Sequence, residues 1–236
     1  MVLIFFHFIL LLSLRCGFFT PQNVLLFLCR ICHLVLFLTT GCRVKRLNSP
    51  PEVSETENLL ILSNHQSAFD ISSIILSFPN RRIYFVAKKE LAYWYPSISQ
   101  FLRKYNGIII DRSKGRLAVE QIKQSILIHN IKTLALFPEG TRSRSGNLNE
   151  FKCTGTIVSL ETFKSAEVIP VVFTKNYRFG NPRFFPFFQT SKMYFLPKKR
   201  FEIGQMKPDE FVRQVFEEII HKFDSIKSLP SQDKII

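Results

Sequence analysis

From Leu59 onward, short apolar and β-branched runs alternate with helical patterns, and three of the runs end directly in polar clusters. Residues 59–62, 83–86, 107–111, 133–137 and 168–174 read as strands, with 192–196 as an edge strand. Between them, Ile71, Ile74, Ile75 and Phe78 have helical spacing, and 117–128 is an amphipathic helix with Leu117, Ile122 and Ile126 on its apolar side. A helix over 210–223 closes the pattern. Strands separated by helices pair in parallel through crossovers, so the expectation is an α/β fold: one domain with a largely parallel mixed sheet flanked by helices. A chain of 236 residues holds one such core plus a short appendage. The polar clusters are 64–70, 111–112 and 138–144. In open α/β sheets the carboxyl ends of parallel strands share an edge and ligands bind there, so three loaded loops predict one site.

The appendage is at the front. Residues 1–51 contain no Asp or Glu and are dominated by Leu, Phe, Ile and Val, while the whole chain carries a formal charge of +14. A basic chain seeks polyanions, and an apolar rather than polar basic end points to an anionic membrane, not to nucleic acid. Residues 1–14 and 24–40 are each shorter than the roughly 20 residues that span a bilayer. Asn23, Arg30, His33 and Thr40 are spaced to form a polar stripe on the second segment. Two short helices lying in the interface therefore suit the segment better than one clean span. Arg43, Lys45 and Arg46 follow, which predicts that the remaining domain lies on the cytoplasmic face. The proline-rich stretch 47–57 reads as a linker or edge loop, giving a helical membrane anchor over 1–46 and an α/β domain over 47–236.

Five cysteines, four of them in the apolar end, make no disulfide framework. Cys29-Arg30-Ile31-Cys32-His33 reproduces the C-x-x-C-H of c-type haem attachment. It lies inside an apolar helix with no cytochrome domain beside it, so small side chains packed in lipid are the better reading.

The first polar cluster, Asn64-His65-Gln66-Ser67-Ala68-Phe69-Asp70, sets an Asp five residues after a His in a strand-to-helix turn. The carboxylate can hold one imidazole nitrogen and leave the other as a base. Ser67-x-x-Asp70 equally fits a capping box, which would occupy Asp70 without catalysis. In the second cluster, Arg112 leaves the carboxyl end of a buried strand and can grip a phosphate with two hydrogen bonds, or pair with Asp111. In the third, Pro138 and Gly140 force a tight turn, and Glu139, Thr141, Arg142 and Ser143 crowd an acceptor, hydroxyls and a forked cation into one loop.

Together these clusters resemble the lysophospholipid (glycerolipid) acyltransferase family, most closely its 1-acylglycerol-3-phosphate acyltransferases. The first cluster is similar to the family's N-H-x-S-x-x-D block, residues 107–112 to G-x-x-x-[DE]-R, and Phe137-Pro138-Glu139-Gly140-Thr141-Arg142-Ser143 to F-P-E-G-T-R-S. Val168-Ile169-Pro170-Val171 resembles its fourth, hydrophobic block, and Ala87-Lys88-Lys89-Glu90-Leu91 its A-K-x-E-L segment. Cys153 departs from the basic residue that many members carry after Phe-Lys.

The resemblance implies a catalytic pair, His65 as general base and Asp70 as its orienting partner. It implies that Arg112 and Arg142, with Lys88, hold the acceptor phosphate, that Glu139 and Thr141 beside Gly140 position the glycerol, and that Pro170 shapes the floor. A thioester is already activated, so attack by a lysophospholipid hydroxyl needs a base and positioning but no metal, cofactor or covalent acyl-enzyme. The implied partners are a lysophospholipid acceptor and an acyl-CoA or acyl carrier protein donor. The rivals are another acceptor, such as glycerol 3-phosphate or a lyso-amino-lipid, and a catalytically silent lipid-binding protein on the same fold.

One further feature lies past these blocks. Between Glu167 and Glu202 no acidic residue occurs, while Lys175, Arg178, Arg183, Lys192, Lys198, Lys199 and Arg200 interleave with Phe179, Phe184, Phe185, Phe187 and Phe188. Such interleaving suits single-stranded nucleic acid or anionic lipid, and beside an apolar front end a second lipid contact is expected.

Overall fold

The computed structural model describes residues 21–90, 107–179 and 189–228. At its centre is a twisted sheet of β1 (Arg43–Arg46), β2 (Leu59–Ser63), β3 (Tyr84–Lys88), β4 (Gly107–Ile110), β5 (Thr133–Leu136), β6 (Ser165–Thr174), β7 (Thr190–Phe195) and β8 (Lys199–Glu202). The order is β1-β7-β6-β2-β5-β3-β4, with β8 pairing the amino half of β6. Pairs β2–β5, β2–β6, β3–β4, β3–β5 and β1–β7 are parallel, whereas β7 and β8 run antiparallel to β6. The sheet is mixed and mostly parallel, as the alternation predicts.

Every residue of β2 is buried, which is why Leu-Leu-Ile-Leu reads as an unbroken apolar run. Its side chains alternate between two cores. Leu60 and Leu62 join Leu134, Leu136, Val168 and Val172 beneath α3 (Arg116–Ile128), α4 (Thr154–Phe163) and α5 (Pro208–Ser228). On the other face, Leu59 and Ile61 join Ile169, Phe173 and Phe195 beneath α1 (Pro21–Thr40) and α2 (Phe69–Ser77).

Four findings depart from the sequence expectations. The strand at Thr190–Phe195 is not an edge strand, because β1 pairs alongside it from Arg43↔Thr190 to Arg46↔Met193. That places the basic run after the apolar segment inside the sheet, so a strand of the α/β unit lies on the amino side of the expected boundary at residue 46. The helix α4 and the strands β1 and β8 also had no counterpart in the periodicity reading.

The third departure is α1. It begins at Pro21, a residue pre-set for the first helical position, and stops at Gly41, whose φ of 68° ends the helix while its N–H donates to the Phe37 carbonyl at 2.7 Å. Residues 22–40 are long and apolar enough to cross a membrane by length and composition, longer than the 24–40 expected. Yet one side is docked: Leu25, Leu26 and Cys29 join the core around Ile74 and Phe78, and His33 Nε2 lies 2.8 Å from Ser72 Oγ. The other side exposes Phe27, Leu34, Phe37 and Leu38, with Arg30 and Asn23 among them. The expected polar stripe therefore divides, His33 turning inward and Arg30 outward. The expectation for residues 1–14 lies outside the described residues.

The fourth concerns the basic stretch. Arg200 is ion-paired with Glu57, Glu167 and Glu202, Lys199 with Glu218, and Lys198 approaches Glu167. These three cations are matched by acids distant in sequence, and they flank the amino half of β6, away from the carboxyl edge. Arg183, Phe184, Phe185, Phe187 and Phe188 lie outside the described residues.

Candidate active site

Because β2, β3, β4, β5 and β6 run parallel, their carboxyl ends form one edge, and all the polar clusters rise from it. Past β2, the chain enters the loop that carries His65. Asn64 anchors this loop to the neighbouring strand: its Nδ2 donates to the Phe173 carbonyl at 2.9 Å, and its Oδ1 accepts the Phe173 N–H at 2.7 Å.

His65 Nδ1 stands 2.9 Å from Asp70 Oδ2. The same oxygen accepts the N–H groups of Gln66 at 2.6 Å and Ser67 at 2.8 Å. Asp70 thus receives two amides just ahead of α2 and holds the imidazole. The expected capping box is not completed, because the N-cap of α2 is Ala68 with no side-chain cap bond and the Asp70 N–H donates to the Ser67 carbonyl. Asp70 is fully buried and the His65 side chain is 15% exposed, so the pair is shielded but reachable. A carboxylate at Nδ1 places the proton there and leaves Nε2 as the basic nitrogen. The imidazole is stacked on Phe137, with centroids 4.1 Å apart and planes 21° from parallel.

The loop after β5 grips the backbone of His65 from both sides. Phe137–Gly140 is a tight turn closed by Gly140 N–H to the Phe137 carbonyl at 2.9 Å, with Gly140 at φ 66°, where a side chain would be strained. The turn presents Glu139, whose Oε1 accepts the His65 N–H at 2.6 Å and whose Oε2 accepts the Asn149 N–H at 2.9 Å. Four residues after Glu139, Ser143 N–H donates to the His65 carbonyl at 2.8 Å. Glu139 is buried, and burial pushes its carboxyl upward against the opposing pull of those amides. Its oxygens serve the loop. Thr141 and Arg142, in contrast, are exposed beside His65 and open to a ligand.

Farther along the edge, β3 ends in the exposed Lys88, and β4 leads through Asp111 into a turn that starts at Arg112. Strands spaced by about 4.8 Å put β4 roughly 14 Å from β2 along the edge. Asp111 pairs with Lys89 at 2.5 Å. That contact and the hydrogen bonds from Ser113 lower its carboxyl to about 2. Pro170 is buried within β6, in register with Leu62, and its carbonyl accepts Leu196 N–H at 2.9 Å. Its missing N–H points the same way as that carbonyl, toward the junction where β6 leaves β8 for β7, so no bond to β2 is lost.

The structure therefore brings His65, Asp70, Glu139, Gly140, Thr141 and Arg142 together and leaves Lys88 and Arg112 on the same edge two and three strands away. It also adds a residue outside every motif. Asn176, in the turn after β6, donates from Nδ2 to Asp70 Oδ1. Its position directly beyond a long buried strand was the available signal.

In sequence and in fold the chain is similar to known acyltransferases. The chain is 34% identical over 170 residues to a 1-acyl-sn-glycerol-3-phosphate acyltransferase of Cocos nucifera, covering 70% of this chain and 53% of that one. It is 28% identical over 181 residues to the enzyme of that name from Saccharomyces cerevisiae, covering 72% and 59%. The chain spans about half the length of the curated relatives it matches. Its fold matches the crystal structure of the 1-acyl-sn-glycerophosphate (LPA) acyltransferase PlsC from Thermotoga maritima with a TM-score of 0.68 at 20% identity, over 98% of this chain and 97% of the other. The acyltransferase family model matches residues 45–174, which hold β2 to β6 with the His65, Asp70, Glu139 and Arg142 loops. This chain belongs to the acyltransferase family.

Proposed function

We propose that this protein transfers a fatty acyl group from a thioester donor, acyl-CoA or acyl carrier protein, to the free hydroxyl of 1-acylglycerol-3-phosphate, making phosphatidic acid. The observation that carries the proposal is the shielded His65–Asp70 pair at 2.9 Å on the carboxyl edge of the sheet. His65 Nε2 takes the proton of the acceptor hydroxyl as its oxygen attacks the thioester carbonyl. The tetrahedral adduct collapses, the C–S bond breaks, and the departing sulfur receives the proton from His65. An ester and a free thiol result.

Arg142 and Arg112, with Lys88, hold the acceptor phosphate, since guanidinium groups match its oxygens in pairs. Thr141 offers a hydroxyl to the glycerol. Glu139 and Gly140 act by shaping the loop, and Pro170 forms part of the strand behind it. The outward apolar face of α1 rests on an anionic membrane, with Arg30 reaching toward headgroups, and the catalytic edge faces the cytoplasm. A docked helix cannot be ringed by lipid, which favours an interfacial placement over an isolated span.

The test is a panel of lysophosphatidate, glycerol 3-phosphate and other lysophospholipids with both donors, the product identified by mass. Transfer to lysophosphatidate above the other acceptors is expected. Absence of transfer to any acceptor would favour the silent lipid-binding protein.

A further inference from the structure

The side chain of Asn176 has no part in the chemistry set out above, yet it is fully buried against the catalytic pair. Lys175 adopts a left-handed φ of 66° just past β6, which turns the chain back over the His65 loop. Asn176 then makes two separate contacts there. Its backbone N–H donates to Gln66 Oε1 at 3.0 Å, and its Nδ2 donates to Asp70 Oδ1. The two oxygens of Asp70 are thereby divided. Oδ2 serves His65, Gln66 and Ser67, all on its own loop, while Oδ1 is held from β6.

An ionised carboxylate only accepts, and out of water every donor favours its charged form. With Oδ1 free, the group could turn about its Cβ–Cγ bond. Held on both oxygens by different elements, it cannot easily do so. The amide orientation of Asn176 is also determined, because its own Oδ1 against Asp70 Oδ1 would set acceptor against acceptor. The titratable groups facing Asn176 are Asp70 and, behind it, His65. Glu139 lies across the His65 backbone, and Lys175, Tyr177 and Arg178 adjoin Asn176 in the chain.

We infer that Asn176 is a positioning residue for acyl transfer, fixing the ionised Asp70 against His65 Nδ1 and acting through Asp70 without touching substrate. The inference rests on the general-base reading of His65. It also separates backbone from side chain: the link to Gln66 ties the turn down and survives side-chain substitution, whereas the Asp70 contact does not.

The experiment uses the full chain in detergent, with Asn176→Leu and Asn176→Asp assayed on lysophosphatidate with acyl-CoA. Alongside, the His65 imidazole is titrated by NMR, its resonance assigned by loss in His65→Ala. Asn176→Leu should lower kcat roughly 10- to 100-fold, the span of one lost hydrogen bond to a charged group, with the acceptor KM unchanged and the His65 midpoint moved. Asn176→Asp sets a second carboxyl against Asp70, and the two must share a proton. Its activity should exceed that of Asn176→Leu on the acid side and fall as pH rises and the shared proton is lost. A merely structural role would show as parallel losses at every pH in both variants, tracking thermal stability, and would overturn the inference. So would parental kcat with an unmoved His65 midpoint in Asn176→Leu. If the parent transfers no acyl group, the functional reading falls, and the His65 midpoint still decides whether Asn176 governs the pair.

Discussion

The carboxylate of Glu139 receives the backbone N–H of His65 at 2.6 Å through Oε1 and that of Asn149 at 2.9 Å through Oε2. Glu139→Gln retains one acceptor oxygen for two buried donors and turns an NH₂ group toward the other. An unsatisfied buried donor costs about 1–3 kcal/mol, so the variant should unfold earlier in denaturant by that amount. Because the displaced group is the proposed base, kcat should fall while the acceptor KM holds. A rise in KM alone would return Glu139 to the substrate.

His65→Ala removes the proposed proton acceptor and leaves the apolar α1 face untouched. Turnover should drop on the order of 10²–10⁴-fold with vesicle binding intact. Flotation with liposomes beside a product assay separates the two readouts.

Arg142 is exposed at the edge, where an ammonium cannot reproduce a planar two-pronged grip. Arg142→Lys should weaken acceptors that bear a phosphate and spare those that lack it. Equal losses on both would mean that Arg142 supports its loop.

Asp111 has its carboxyl lowered to about 2 by Lys89 and Ser113, against an ordinary value of about 3.9. A lowered folded-state pKa contributes stability that is complete above about pH 4 and disappears as pH falls toward 2. Lys89→Met should therefore lower the melting temperature at neutral pH and converge with the parent in acid. Melting curves across that window give the answer.

The two faces of α1 make opposite predictions. Leu25 is 3% exposed in the core beneath the sheet, and Leu25→Ala should cost about 2–5 kcal/mol of stability. Leu34 and Leu38 are 50% and 71% exposed, so replacing both with Ser should leave the fold intact and weaken flotation with anionic vesicles. Deleting residues 1–41 removes the docked face as well, and a destabilised product is expected. A stable, active truncated protein would show that α1 is dispensable to the domain.

The sequence made the centre of this fold legible because its strands are buried on both faces and read as plain apolar runs. The His65, Arg112 and Arg142 loops were legible for a related reason: each begins where such a run stops. What escaped notice lacked that contrast. Three of the four residues of β1 are Arg or Lys, and the strand forms because β7 offers it an edge. Helix α4 mixes Thr, Gly and Ser with its apolar residues and buries Thr156 and Ser159, so no amphipathic stripe marks it. Glu139 looks like a ligand contact in one dimension. Only the approach of β5 to β2 shows that it faces a backbone amide.

His65 is clamped by a residue 74 positions away, and Asp70 and Gln66 by one 106 and 110 positions away. None of these contacts can form within a local hairpin or a single crossover unit. The His65–Asp70 pair should therefore be assembled only after β2, β5 and β6 have all found register, late in a search dominated by distant pairings, which fold slowly. On the proposed mechanism, recovery of turnover on refolding should lag behind recovery of helix, and a partly folded chain should carry no fractional activity. Catalytic competence is in this protein a certificate that the middle of the sheet has closed.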